Sequence, residues 1–149
     1  NQSSWGLYGQ KLDVNGIRQW TDNGIEVLPL GANQLTDVST LLVGDEAVVA
    51  WVTSIANGND PIFATRIDGG GDFVWTPTIV DLATSATETS RLVGTGSTRG
   101  FTAYAWTDGG SSQGDVLAQN LRADGNLGPG VFSDGFESGT TDGWSSTSP

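Results

Sequence analysis

One segment of the chain recurs with a period of about 55 residues, and this repetition constrains the fold more than any other feature. Its three copies are residues 7–13, 62–68 and 116–122. Two pairs of tryptophans keep the same register, because Trp20 aligns with Trp75 and Trp51 aligns with Trp106. A fixed period with aromatic residues in register indicates a tandem array of one supersecondary unit.

The period predicts the domain organisation. A β-repeat region spans residues 1–130, with copies at 7–60 and 62–115 and a partial copy at 116–130. Residues 131–149 have no counterpart in the copies and form a separate C-terminal tail. The first residues align with a loop between copies, so we expect either further copies upstream in a longer precursor or several chains that complete one another.

Each copy carries signals for short antiparallel strands and none for an amphipathic helix. The first strand, at 7–12, 62–67 and 116–121, leads into glycine-containing turns at 13–16, 68–71 and 123–126. The remaining predicted strands are 17–20 and 72–75, 25–28 and 79–82, 38–43 and 89–93, and 47–52 and 101–106. The sequence therefore predicts an all-β fold of four-stranded, antiparallel, blade-like repeats, either a partial β-propeller or an open β-repeat array.

Composition excludes several classes of function. The 149 residues include only six Lys and Arg, and the net charge is −11, which disfavours binding to nucleic acids or anionic membranes. No 18-residue apolar run is present, so no membrane insertion is expected. The absence of Cys and His removes disulfides and the usual general base. Since Glu26, Glu46, Glu88 and Glu137 do not recur in register, we expect no catalytic activity.

Residues 7–16, Leu-Tyr-Gly-Gln-Lys-Leu-Asp-Val-Asn-Gly, are followed by Trp20 and by Val-Val-Ala-Trp at 48–51. This combination resembles the blades of secreted bacterial β-propeller-like repeat proteins over residues 7–130. The Phe-Glu-Ser-Gly of the tail, at 136–139, is similar to C-terminal segments of secreted bacterial proteins and to the opening strand of jelly-roll carbohydrate-binding domains. The resemblance implies an extracellular or cell-surface bacterial protein, such as an adhesin or an accessory region of a secreted hydrolase.

Acidic and amide side chains recur in the turns, as the pairs Asp13 and Asn15, Asp68 and Asp72, and Asp124 and Asn126. Oxygen ligands at alternate positions suit Ca²⁺, so these residues are the candidate calcium ligands, and no other cofactor is expected. The alternative is that each side chain caps its own turn, which the sequence favours because each turn offers few side-chain oxygens.

Tryptophans in register are expected to fill equivalent core positions, each with a partner for its indole N–H. Trp5 and Trp144 fall outside the register and are the candidate ligand contacts. The polar residues Gln10, Thr65 and Gln119 lie between apolar neighbours on one strand face. They either tie adjacent strands together by hydrogen bonds or line a central channel.

These observations predict a non-catalytic binding or adhesion module that recognises a glycan or a surface protein. One alternative is a structural subunit that assembles into an oligomer or filament through open edge strands. Another is an accessory fragment of a larger secreted hydrolase.

Overall fold

Nine strands and no helix are found in the residues that the computed structural model describes, which are 4–55, 58–84, 87–96, 101–109 and 114–128. The strands are β1 (Trp5–Gly9), β2 (Ile25–Gly31), β3 (Gln34–Val43), β4 (Glu46–Ser54), β5 (Ile62–Ile67), β6 (Val80–Ala83), β7 (Thr89–Gly96), β8 (Thr102–Asp108) and β9 (Asp115–Leu121). The all-β prediction is confirmed. The tail at 131–149, with Trp144, lies outside the described residues.

The strands form three antiparallel sheets. The first sheet contains β1 and β2, the middle sheet has the order β3-β4-β5-β6, and the third sheet has the order β7-β8-β9. Within each sheet, every pair of neighbouring strands is also consecutive in the sequence, so no sheet contains a crossover. The middle sheet is covered on both faces, by the first sheet on one side and by the third sheet on the other.

Strand β4 shows why the middle sheet is buried on both faces. Its sequence, Glu-Ala-Val-Val-Ala-Trp-Val-Thr-Ser, is apolar at almost every position instead of alternating, which is typical of a strand between two layers. Val48, Ala50 and Val52 point to the third sheet, whereas Val49 and Trp51 point to the first. All five side chains are buried, so β4 connects the two apolar clusters of the molecule.

The four strands of the middle sheet do not come from one sequence repeat. β3 and β4 are the last two strands of copy 7–60, whereas β5 and β6 belong to copy 62–115. The predicted unit of four strands within one copy is therefore displaced, because the first strand of each copy pairs with the last strand of the copy before it. Within the described residues, only the middle sheet has four strands.

The strands predicted at 17–20 and 72–75 are not formed. Each segment makes a single β-bridge instead, Leu12 to Arg18 and Ile67 to Phe73. A side-chain hydrogen bond replaces the backbone hydrogen bonds that a longer strand at 17–20 would make. The side-chain oxygen of Gln10 accepts the N–H of Trp20 at 3.1 Å. Because a side chain satisfies the backbone here, the segment does not need to run on as a strand.

Matching bulges interrupt the outer strands β3 and β7. Asp37 and Arg91 have positive φ, 49° and 60°, and each bulge lies opposite a buried tryptophan of the next strand. Asp37 also links the two sheets, because its Oδ2 accepts the backbone N–H of Arg91 at 2.7 Å. The two bulges are thus joined by a hydrogen bond between β3 and β7.

Candidate functional site

The three repeated turns have the same backbone hydrogen bonds. In each turn a glycine with positive φ donates its N–H to the carbonyl oxygen three residues earlier, at distances of 3.0–3.1 Å. The glycines are Gly16, Gly71 and Gly125. In the third copy this places the turn at 122–125, one residue before the predicted 123–126, because the bridge of Leu121 with Leu127 sets the register.

Two of the candidate calcium ligands, Asp13 and Asp68, cap their own turns. Oδ1 of Asp13 accepts the N–H groups of Asn15 and Ile17, both at 2.8 Å. Oδ1 of Asp68 accepts those of Gly70 and Asp72, at 2.8 and 3.0 Å. The hydrogen bond from Asp72 is the main reason that the pKa of Asp68 lies below its usual value.

In the third turn, Oδ1 of Asp124 accepts the N–H of Asn126 at 3.0 Å, and this bond lowers the pKa of Asp124. Among the described residues, no group of three or more His, Cys, Asp or Glu side chains is placed to hold a metal ion. The carboxylate oxygens bind backbone amides instead, as the capping interpretation expects. Calcium binding stays a prediction.

Trp20 links the first sheet to the turn after β5. Its Nε1 donates to the carbonyl oxygen of Gly69 at 3.3 Å, and Lys11 Nζ donates to the same oxygen at 3.1 Å. The indole also lies over Gly71, where an added Cβ would come within 3.3 Å of Nε1. One carbonyl therefore receives two donors from the preceding copy. We call this arrangement the staple.

A second staple recurs one copy later. Trp75 Nε1 donates to the carbonyl oxygen of Ala123 at 2.9 Å, and Arg66 Nη1 donates to it at 3.1 Å. Arg66 is held in place by an ion pair with Glu46. An added Cβ at Gly125 would lie 3.0 Å from the Trp75 ring. The aligned Trp20 and Trp75 thus have matching hydrogen-bond partners.

Sequence analysis missed the basic half of the staple. Lys11 and Arg66 occupy aligned positions, and each precedes its tryptophan by nine residues. A basic residue that recurs in register, in a chain with only six Lys and Arg, was the available signal. The function of these side chains is structural: both bind a backbone carbonyl of the next turn.

The second tryptophan pair, Trp51 and Trp106, also has matching surroundings. Both are buried, with 1% and 6% of their surface exposed, and both side chains point to the preceding sheet. Each also lies opposite the bulge of its neighbouring strand. Their indole N–H groups find no hydrogen-bond partner within the described part of the chain. The expected core position is therefore observed, whereas the expected N–H partner is not.

The polar residues between apolar neighbours bind the segment that follows their own turn. Gln10 Nε2 donates to Thr21 O at 2.7 Å, and Thr65 Oγ1 donates to Thr78 O at 2.6 Å. Gln119 Nε2 donates to Gly128 O at 2.9 Å. These hydrogen bonds tie each strand to the segment after its own turn, and not to an adjacent strand as the first expectation had it.

Trp5 lines an apolar cleft of about 340 Å³ between the first sheet and the middle sheet. The Trp51 and Phe63 rings form part of its wall, with centroids 6.1 Å apart and planes inclined by 35°. Polar side chains at the cleft are few, namely Asn33 and Thr53. The other lining residues are Leu28, Pro29, Leu30, Gly31, Ala32, Leu35 and Ile79.

The chain has no match among protein-family models, curated proteins or solved structures. In the described residues no helix is long and apolar enough to cross a membrane.

Proposed function

We propose that the chain is a non-catalytic binding module built from tandem, blade-like β units. The tandem arrangement is supported by the two staples, since aligned residues make aligned contacts with the next turn. It is also supported by the three turns with identical backbone hydrogen bonds. The proposed setting is the extracellular or cell-surface space of a bacterium, as the sequence resemblance implies.

The single observation that carries the binding function is the cleft beside Trp5. Its volume falls within the range of small-ligand sites, and its lining is mostly apolar with a few polar groups, as such sites usually are. Flat apolar faces, such as those of a sugar ring, stack well on indole and phenyl rings. Asn33 and Thr53 are placed to fix the orientation of a ligand through its hydroxyl groups.

The proposed ligand class is an uncharged glycan. A net charge of −11 disfavours anionic ligands through long-range repulsion. Among the described residues that line the cleft there is no Lys or Arg, so none of them compensates the charge of a carboxylate or a phosphate. A neutral oligosaccharide fits both the apolar walls and the charge of the chain.

A titration with a panel of neutral oligosaccharides, followed by tryptophan fluorescence and calorimetry, tests the proposal. Trp5→Ala should weaken binding at least about tenfold, which is about 1.4 kcal/mol. The matched control is Tyr8→Ala, because Tyr8 is an exposed aromatic residue of the same strand that does not line the cleft. The proposal fails if no sugar binds the folded chain, or if the two variants lose affinity equally.

Self-assembly through an edge strand is a second candidate, and one observation favours it. β9 has no partner on its outer side within the described residues, whereas the equivalent β5 pairs there with β6. Val116 and Leu117 of β9 are 76% and 42% exposed. Light scattering distinguishes the two functions, because a 15.5 kDa monomer at all concentrations contradicts assembly.

A further inference from the structure

The first turn, at residues 13–16, has the geometry of a staple acceptor but receives no staple from the described residues. Gly69 O and Ala123 O each accept a basic side chain and an indole N–H. Val14 occupies the aligned position in the first turn and is 100% exposed. An added Cβ at Gly16 would find no atom within 4 Å, whereas the equivalent glycines lie beneath tryptophan rings.

The acceptor is already formed in the first turn. The N–H of Gly16 bonds to Asp13 O at 3.0 Å, and the carboxylate of Asp13 holds the amides of Asn15 and Ile17. These are the bonds that fix the second turn, where Gly71 and Asp68 make the same contacts. The backbone would not need to rearrange to accept a donor, so little ordering free energy opposes docking.

We propose that the turn at 13–16 is the docking surface for a further β unit, placed ahead of Leu7 in the same polypeptide, that presents a Lys or Arg and a Trp nine residues later. The two staples within the chain define this chemistry. The basic group and the indole N–H share the Val14 carbonyl, and the indole ring covers Gly16. Residue 14 becomes only partly covered, because the aligned Ala123 stays exposed although its carbonyl accepts a staple. Ala123 also shows that a Cβ at this position is compatible with a staple.

A second copy of the chain is not the occupant, because its donor pairs are already used. Lys11 with Trp20 and Arg66 with Trp75 serve the turns within their own chain. The third aligned basic position holds Asn120, whose side chain is engaged by Gln119 Nε2 at 3.2 Å. The aligned tryptophan position is Pro129 in the sequence. The series of β units therefore has a direction. The first turn offers an acceptor without donors among the described residues, and the third copy has no Lys or Arg with Trp at the aligned donor positions.

The cleft beside Trp5 plays no part in this docking, so a failed sugar titration leaves the docking proposal standing. The experiment uses the full chain with Val14→Cys, which is its only thiol because the sequence contains no Cys. Maleimide labelling of this thiol is compared between the full chain and the same chain preceded in frame by a second copy of residues 7–61. The added copy supplies its own Lys11 and Trp20 to the first turn.

We expect the added copy to slow labelling at position 14 by about twofold to threefold, since the indole and the basic side chain then cover one side of a residue that stays accessible on the other, as Ala123 does. Alanine at both Lys11 and Trp20 of the added copy should restore the fast rate. Val116→Cys, at a distant and exposed position, should label equally fast in every form. The proposal is overturned if residue 14 stays protected from labelling after both donors of the added copy are removed. It is also overturned if circular dichroism shows that the added copy is folded and residue 14 is not protected.

If the added copy does not fold, a cyclised peptide of residues 7–22 serves as the probe instead. At millimolar concentration it should shift the amide resonances of residues 14–16 in the full chain, and a peptide with Trp20→Ala should not. The absence of a shift overturns the proposal. A labelling rate at position 14 that falls as the concentration of the unextended chain rises makes a second copy the occupant and also overturns it.

Discussion

The two junctions between sheets use the same staple but are buried to different depths. Between the middle and third sheets, eleven buried residues form one cluster, and Trp75 within it is 4% exposed. Between the first and middle sheets the apolar cluster contains four buried residues in the part of the chain that the structure describes, and Trp20 is only partly covered. The hydrogen bonds recur because the backbone turns recur, whereas the burial of the tryptophans depends on how many strands pack at each junction.

The extent of each sheet explains the difference in depth. The first sheet has two strands, so much of its surface stays at an edge, as the exposure of Tyr8 and Leu30 shows. The middle and third sheets contribute four and three strands to their junction. The indole bond is also shorter there, 2.9 Å for Trp75 against 3.3 Å for Trp20. The same hydrogen bonds are stronger at the more deeply buried junction, because the local dielectric constant is lower there.

The largest expected effect comes from removing the indole at the deeper junction. Trp75→Ala leaves a cavity in the main cluster and deprives Ala123 O of one donor, so it should lower the free energy of unfolding by about 3–5 kcal/mol. Trp20→Ala removes the aligned side chain from a half-open junction and should cost roughly half as much. Urea denaturation of the two variants measures both values. Equal losses of unfolding free energy in the two variants would show that the depth of burial does not make the two junctions differ in stability.

The three turn glycines provide the next test, because their backbones match and their surroundings differ. Alanine at any of them is strained by positive φ, at a cost of about 1–2 kcal/mol. Gly125→Ala adds contact with the Trp75 ring at 3.0 Å, and Gly71→Ala adds contacts with Ile25 and Trp20 at 3.2–3.4 Å. Gly16→Ala meets nothing within 4 Å.

Thermal unfolding should therefore rank the three alanine variants with Gly125→Ala least stable, Gly71→Ala next and Gly16→Ala nearest to the parent chain. Gly16→Ala is the internal control, since it reports backbone strain without a steric contact. If Gly16→Ala is as damaging as Gly125→Ala, the stapled turns and the open turn do not differ in the way that their geometry indicates.

Much of the strand pattern could be predicted because alternation and turn residues are local signals. The β5 prediction, 62–67, has the observed bounds, and the segments corresponding to β4, β8 and β9 were placed to within two residues. The turns followed from Asn-Gly and Gly-rich sequences. The prediction at 17–20 failed because Gln10 satisfies the backbone there, and such a long-range side-chain bond has no local signature.

The pairing of strands was less predictable than their positions. The repeat period marks equivalent residues but does not say where one sheet ends, so the sheet that crosses the boundary between copies was missed. For the cleft, only Trp5 was expected, because it lies outside the register. Phe63 and Leu28 join it through contact between sheets, which a single sequence does not encode locally.

The smallest expected effect concerns Asp68, whose carboxylate supports the turn that receives the first staple. Its pKa is lowered from an ordinary value of 3.8, first by the hydrogen bond from Asp72 and also by Lys11. A folded-state pKa below the unfolded value means that the ionised form stabilises the fold above pH 3.8, and that this stabilisation is lost as the pH falls through the folded-state pKa. Asp68→Asn should therefore be less stable than the parent chain at pH 7, with a gap that closes towards pH 2.

Urea denaturation across that pH range measures the gap. Asp22→Asn is the matched control, because Asp22 is exposed and its carboxylate bonds to no residue in the described part of the chain. Its stability at pH 7 should equal that of the parent chain. A gap for Asp68→Asn that stays constant with pH would mean that the loss of stability does not come from the charge of Asp68. No gap at any pH would mean that its oxygen acts only as an acceptor, which asparagine replaces. The charge of Lys11 would then matter to the staple only through its bond to the Gly69 carbonyl.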